Sequence, residues 1–494
     1  MKLQVKNLGP IRQGEIDLDK RFYVFVGYNN SGKTYMAQVV WTVLDYLFFG
    51  EISTRTHRIP KTSPIPLSML IDLSKFENKS FELDDATVKE IIFEIEYGLK
   101  IEVLSTFNSN NLEKHFSLKL KGAYDVIKNM GLEIKILDET NFKCYYLEKI
   151  PNLFTFFVKE MSVLDFSENT TAITAEINTD NSFFDRLYEI FAIALKNHLN
   201  IEESPFLLPA NRSFYPSFYK ELIYNERIQN ETRDKAIKKG ESIEKIKSLS
   251  RKPYTSPTGF LINSVYKLNL KGSEKSEPND YYQDLIEELK PIVGGSIKEG
   301  TKGNGMIEFS LELEDKSELD MHVASSSANQ LAVFYLYLKY WAHESNNFLI
   351  IDEPEENEHP ENQIKLLNIL MRFANRNNNK VLMTTHSPLM TDAVNNHLHL
   401  GYLKSKGLDV ETIIKDNDLA FDTEGSALEH KDMGIYFFDG KSINEYEIGD
   451  YGAFFADFNK AEEKIKETSS ILKGYIFDLE KNQRQAKLNK NGIA

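Results

Sequence analysis

The chain has a single cysteine, Cys144, in 494 residues. It can form neither an intramolecular disulfide nor a cysteine-rich zinc site, and it fits a reducing, cytoplasmic setting. Positive charge is also short: 59 Lys plus Arg stand against 74 Asp plus Glu, a formal charge of -15. A uniformly basic nucleic-acid coat is thereby excluded, and contact with DNA or RNA would need a local patch. No apolar run approaches the ~20 residues that cross a bilayer, and the first twenty residues alternate polar and apolar without a signal core. Internal repeats and low-complexity tracts are missing, and no heptad pattern lasts beyond a few turns, which excludes a long coiled-coil arm.

What remains is ordinary globular composition, 41% hydrophobic and 27% charged, long enough for about two to four lobes. Residues 1 to 50 read as strand, turn at Gly9 and Pro10, strand, then the apolar strand "FYVFV" and a helix from Lys33. Residues 51 to 150 read as a sheet-rich insertion, with strands expected at "IIFEIEYGLKIEV" (91 to 103) and "LEIKIL" (132 to 137). Residues 151 to 279 read as a helical insertion, interrupted by "LLPANRSFYPS" from 207. Within it, Arg233 to Lys252 holds eight basic and three acidic residues, either a solvated helical face or a nucleic-acid patch. Strand and helix signals return from 280 to 400. The final stretch, 401 to 494, reads as a hairpin turning at Asp439 and Gly440, then a helix.

Gly27, Gly32, Lys33 and Thr34 fill the pattern G-x-x-x-x-G-K-[ST], with Asn29, Asn30 and Ser31 inside the loop. Glycines let successive backbone N–H groups face phosphate oxygens, and the following helix adds its positive end. Lys33 would reach the β and γ phosphates of ATP and Thr34 would ligate Mg²⁺. "FLIIDEPEENEHP" sets a buried strand before Asp352 and Glu353. There Asp352 can hold Mg²⁺ and Glu353 can orient or deprotonate the attacking water. "KVLMTTHSP" offers a further strand ending in His386, a donor for the γ phosphate.

In that order, "GYNNSGKT", "LIIDEPEENEHP" and "TTHSP" resemble an ABC-type, SMC-like P-loop ATPase head. The start "VKNLGPIRQGEIDL" and the form "DEPE" before "HP" resemble the overcoming-lysogenisation-defect (OLD) group, with the ATPase subunits of anti-phage systems such as Septu and PARIS. The resemblance covers residues 1 to 50 and 280 to 400. It implies an α/β head, a P-loop core sheet with an antiparallel β subdomain, joined to the two insertions. It also implies that Ser325, Ser326 and Ser327, in "VASSSANQLAVFYLYLKYW", cap a helix that binds the γ phosphate of an opposite copy. Ser327 stands where such signatures have glycine, Glu358 stands where they are apolar, and no Q-loop glutamine is assignable. Arg212, in "LLPANRSFYP", matches a Pro-Ala-x-Arg segment of these relatives and reads as either a residue near the nucleotide or interface, or a surface turn.

The resemblance implies two heads meeting head to tail around ATP, as the sensor or scaffold of a phage-defence complex that controls a separate effector such as a nuclease. Two alternatives are a DNA-repair or recombination ATPase using Arg233 to Lys252, and a nuclease in its own right. The Toprim nuclease pattern needs "EG" before Asp-x-Asp, whereas here "DND" at Asp416 to Asp418 precedes Glu424. No built-in Toprim is therefore expected.

Overall fold

The computed structural model describes residues 1–49, 80–82, 85–107, 116–129, 132–136, 141–146, 171–176, 204–214, 255–268, 277–302, 306–419, 427–449 and 452–455, with isolated positions besides. In chain order these form β1 (Lys2–Leu8), β2 (Ile11–Asp17), β3 (Phe22–Gly27), α1 (Lys33–Phe49), β4 (Ser80–Glu82), α2 (Asp85–Phe107), β5 (Ser117–Lys121) and α3 (Ala123–Asn129). There follow β6 (Leu132–Ile136), β7 (Asn141–Tyr146), β8 (Thr171–Glu176), β9 (Phe206–Leu208), α4 (Ser256–Lys267) and α5 (Gln283–Val293). The remainder comprises β10 (Ser296–Lys302), β11 (Met306–Glu312), β12 (Glu318–Asp320), α6 (Ser326–Leu336), β13 (Phe348–Asp352), α7 (Pro360–Asn375), β14 (Lys380–Thr385), α8 (Pro388–Ser405), α9 (Val410–Asp416), β15 (Met433–Phe438), β16 (Ile443–Glu445), β17 (Ile448–Gly449) and β18 (Gly452–Ala453), with short 3₁₀ and π turns between them.

The site is built on a six-stranded sheet of order β16-β15-β3-β14-β13-β9, in which all strands but β16 run parallel. Parallel strands covered on both faces need apolar side chains throughout. In β3, Phe22, Val24 and Val26 join one core cluster, while Tyr23 and Phe25 join another on the opposite face. The first cluster includes residues of α5 to α8, and the second those of α1, β1 and β2. Register then sets the chemistry: Asp352 pairs with Thr384, Thr385 with Val26, and Gly27 with Phe438. The C-terminal ends of four adjacent strands thus stop at one level, where an open α/β sheet binds its ligands.

A separate antiparallel sheet, β2-β1-β5, leans on the central sheet through Arg12 N, which donates to Lys441 O at 2.6 Å. The expected α/β class with an antiparallel β subdomain is the one observed. Three strands of the central sheet come from outside the expected bounds of the head: β9 from the middle of the chain, and β15 and β16 from the final stretch.

The segment 91 to 103, expected as a strand, is instead helical within α2. Val88, Ile95, Leu99 and Val103 are buried and Ile92 packs against the same core, spacings of three and four that suit a helix as well as the local alternation suits a strand. Burial against α1 decides the outcome; a Cβ at Gly98 would stand 2.2 Å from the Tyr46 hydroxyl, so the two helices cross closely there. "LEIKIL" does form a strand, β6, in a four-stranded antiparallel sheet of order β4-β6-β7-β8. Most of 151 to 279, including Arg233 to Lys252 apart from Lys235, and the expected final helix apart from isolated positions, lie outside the described residues.

Candidate nucleotide site

The chain leaves β3 at Gly27 and enters α1 at Lys33. Gly27 has φ +154° and Gly32 has φ +104°, and both are hemmed in: a Cβ at Gly27 would lie 2.4 Å from Phe438 O, and one at Gly32 would lie 2.7 Å from Ile11 Cγ1. Only glycine satisfies both conformation and space. Asn30 takes φ +60°, the left-handed region that asparagine tolerates. Asn29 and Asn30 are exposed, while Ser31 is buried with a side-chain hydroxyl that has no hydrogen-bond partner among the described residues. Lys33 is 4% exposed and its ammonium donates to Gly27 O (2.9 Å) and Tyr28 O (3.1 Å), arching back over the loop. Burial lowers its pKa, against the pull of Glu353, Asp352 and Glu355.

Thr34, in the first turn of α1, donates to Asp352 Oδ2 at 2.9 Å, joining the loop to the end of β13. Thr384, on the neighbouring β14, also donates to Asp352. The Asp352 carboxyl is 3% exposed; burial raises its pKa, and the two threonine hydroxyls pull it back.

Glu353 turns the chain out of β13 with φ +48°, a left-handed conformation that costs a non-glycine residue roughly 1–2 kcal/mol. Its N–H donates to Thr384 Oγ1 at 3.0 Å. His386 Nδ1 lies 3.5 Å from Glu353 Oε1 and 3.8 Å from Glu355 Oε1. Contact with His386 holds Glu353 below the usual carboxylate range and, reciprocally, raises the pKa of His386. Glu355 behaves oppositely. It is 4% exposed, and burial raises its pKa although Thr385 Oγ1 and His386 N donate to it.

Lys33, Thr34, Asp352, Glu353 and His386 therefore converge. A nucleoside triphosphate suits this arrangement: the glycine cradle leaves room no side chain could share, the N-terminus of α1 and the buried cation favour anions, and the orphaned Ser31 hydroxyl adds a donor. Thr34 and Asp352 provide the hard oxygen ligands that Mg²⁺ prefers.

Ser325, Ser326 and Ser327 are not brought to this cluster among the described residues. Ser325 caps α6, its hydroxyl accepting from Ala328 N at 3.0 Å; Ser325 and Ser326 are exposed and Ser327 is half-buried. Glu358 is buried and its pKa is raised by burial, with Ser327 and Asn362 nearby but neither in good hydrogen-bond geometry.

The AAA ATPase domain family matches residues 1–391 of the chain. The chain belongs to that family. None of the curated proteins matches this chain. Among solved structures it is similar to an SMC head bound to the C-winged helix domain of ScpA, at 10% identity, covering 90% of this chain and 98% of that one, with a TM-score of 0.32. It is also similar to an SMC head domain with an extended coiled coil bound to the C-terminal domain of ScpA from Pyrococcus furiosus, at 12% identity over 95% and 98% of the two chains, TM-score 0.29. A third is the SMC head domain from Thermotoga maritima, at 10% identity over 90% and 98%, TM-score 0.28.

Of the two expected readings of Arg212, the surface turn does not hold. Arg212 is fully buried, at 0% exposure, and its guanidinium donates to Asp352 O and Glu353 O at the edge of the candidate nucleotide site. Sequence reasoning also passed over Glu355 and Gln330. Glu355 stands in "DEPE", three residues after Asp352, and that spacing was the available signal. Gln330 carried none, because its side chain meets Ala210 O, Ser213 N and Glu356, groups remote in the chain.

Proposed function

We propose that this chain is the ATP-binding and ATP-hydrolysing sensor or scaffold subunit of a cytoplasmic anti-phage defence complex, and that two copies close head to tail around ATP to control a separate effector of the nuclease class. The observation that carries the ATPase part is the bond from Thr34 to Asp352, which fastens the glycine loop to the carboxylate strand with Glu353 and His386 beside them. The defence assignment is supported by the sequence forms "DEPE", His359-Pro360 and "VKNLGPIRQGEIDL".

Lys33 neutralises phosphate charge, and its low exposure strengthens that interaction. Thr34 and Asp352 hold Mg²⁺, which when bound supplies positive charge to the phosphate oxygens. Glu353, kept ionised by His386, orients the attacking water and accepts its proton. His386 donates toward the terminal phosphate. Ser325 and Ser326, exposed at the start of α6, are free to approach the phosphates of a second copy.

Calorimetry with ATP and phosphate release with Mg²⁺ test this. The parent chain should bind and hydrolyse ATP, Lys33→Ala should lose at least about tenfold in affinity, and Glu353→Gln should bind ATP while losing at least about a hundredfold in turnover. Equal ATP binding and hydrolysis by parent and Lys33→Ala would sink the reading. Added DNA should remain uncut in the same reactions.

A further inference from the structure

Arg212 is a fully buried cation whose hydrogen bonds, among the described residues, go to backbone carbonyls. Its Nε donates to Gln330 O (3.0 Å), Nη1 to Pro209 O (3.3 Å) and Asp352 O (2.8 Å), and Nη2 to Glu353 O (3.4 Å) and Pro354 O (3.3 Å). Three of those five carbonyls belong to the turn on which the proposed catalytic carboxylate sits. Fixing Asp352 O and Glu353 O fixes the peptide planes on both sides of Glu353, and the bond from Glu353 N to Thr384 Oγ1 at 3.0 Å secures the first plane from the opposite side. Glu353 adopts φ +48°, a conformation that side-chain-bearing residues rarely hold without such restraint. The direction in which its carboxylate leaves the backbone therefore depends on the guanidinium behind it.

The same turn is bolted to α6. Gln330, fully buried, donates to Ala210 O (2.6 Å) and Glu356 Oε2 (3.0 Å) and accepts from Ser213 N (3.2 Å), while its carbonyl receives Arg212 Nε. α6 is the helix whose exposed N-terminus carries Ser325 and Ser326. We propose that Arg212 is the positioning residue for Glu353, and that with Gln330 it forms a strut through which α6 sets the angle of that carboxylate. This rests on the ATPase reading above. Planar geometry is what the strut needs: a guanidinium spans carbonyls on several sides at once, which a single ammonium cannot do.

The test compares parent, Arg212→Lys and Glu353→Gln by turnover, by ATP affinity and by the NMR titration of His386, identified by its loss in His386→Ala. In Arg212→Lys, turnover should fall at least about tenfold with the ATP Kd within twofold of the parent. The His386 pKa should move down toward 6.5, the ordinary value, as it does in Glu353→Gln, because the carboxylate that raises it has swung away. Turnover within twofold of the parent overturns the strut, as does a fall in turnover with the His386 titration unmoved, since damage elsewhere would leave the Glu353–His386 contact intact. Should Arg212→Lys fail to fold, Gln330→Met keeps the guanidinium and loosens its turn. It should lower turnover severalfold with the same His386 shift, and failure of either effect overturns the proposal. A parent chain that binds no ATP overturns the ATPase reading and the strut with it, whereas ATP hydrolysis insensitive to Arg212→Lys and Gln330→Met overturns the strut alone.

Discussion

Glu353 and Glu355 flank one histidine, yet their surroundings drive their protonation in opposite directions. Contact with His386 depresses Glu353, and burial raises Glu355. Such separation is how one site keeps a carboxylate ready to accept a proton beside one that resists ionisation. The Glu353–His386 pair also makes stability depend on pH. His386 is raised above its ordinary 6.5, so its contribution is full below 6.5 and is lost as pH rises through the folded value. Glu353 is lowered below its ordinary 4.5, so its contribution is present above 4.5 and is lost as pH falls through the folded value. The pair therefore stabilises between roughly those limits. With side chains 44% and 24% exposed, solvent screening holds its worth to about 0.5 kcal/mol. His386→Ala should accordingly lower the midpoint of thermal unfolding by a degree or two at pH 6 and by less at pH 8.5. A gap that widens at the higher pH would show that the pair is not what sets it. At this scale the glycine loop, Asp352, Glu353 and His386 were legible because each is a side-chain type in a recognisable spacing. Arg212 was only half legible, since a guanidinium that reaches carbonyls 140 to 142 residues away leaves no mark of that contact on the sequence around it.

Elements whose apolar pattern admits a single reading formed as expected. "FYVFV" and "FLII" are apolar throughout and became central parallel strands, and the hairpin at Asp439 appeared as β15 and β16. The region of α2 satisfied two periods at once, so local alternation pointed to a strand while the 23-residue length and the burial against α1 favoured a helix. The place of β15 beside β3 was hidden for another reason: its pairing joins residues about four hundred positions apart, and nothing local distinguishes a central strand from an appended one. That seam can be tested. Gly14 in β2 faces Ile443 of β16, and a Cβ there would stand 2.3 Å from Ile443 Cδ1. Gly14→Val should therefore force the antiparallel sheet away from the central one, costing about 1–3 kcal/mol as overpacking does. Urea unfolding should show the midpoint shifted downward; an unchanged midpoint would mean that β2 and β16 do not pack as described.

For the molecule as a whole, the arrangement divides the parts of the proposed site between two surfaces. Lys33, Thr34, Asp352, Glu353 and His386 share one strand-end edge, whereas Ser325 and Ser326 are exposed at the start of α6, next to Val323, which is 67% exposed. An apolar side chain beside a serine-rich helix start suits a face that becomes covered, and an anion presented by a second copy would meet the serines at the positive end of the helix. If nucleotide closes two heads, slowing its hydrolysis should trap the closed pair. Glu353→Gln with Mg²⁺ and ATP should then run, by light scattering after gel filtration, at about twice the 57.0 kDa chain mass, and at the chain mass without nucleotide. Adding Ser326→Glu places a carboxylate where a phosphate would approach, and like-charge repulsion should return the trapped species to single chains. Ser326 is exposed, so that substitution should leave the unfolding midpoint nearly unchanged. A trapped pair that survives Ser326→Glu would mean the heads meet through another face, and a mass that ATP does not change in Glu353→Gln would remove the head-to-tail closure altogether.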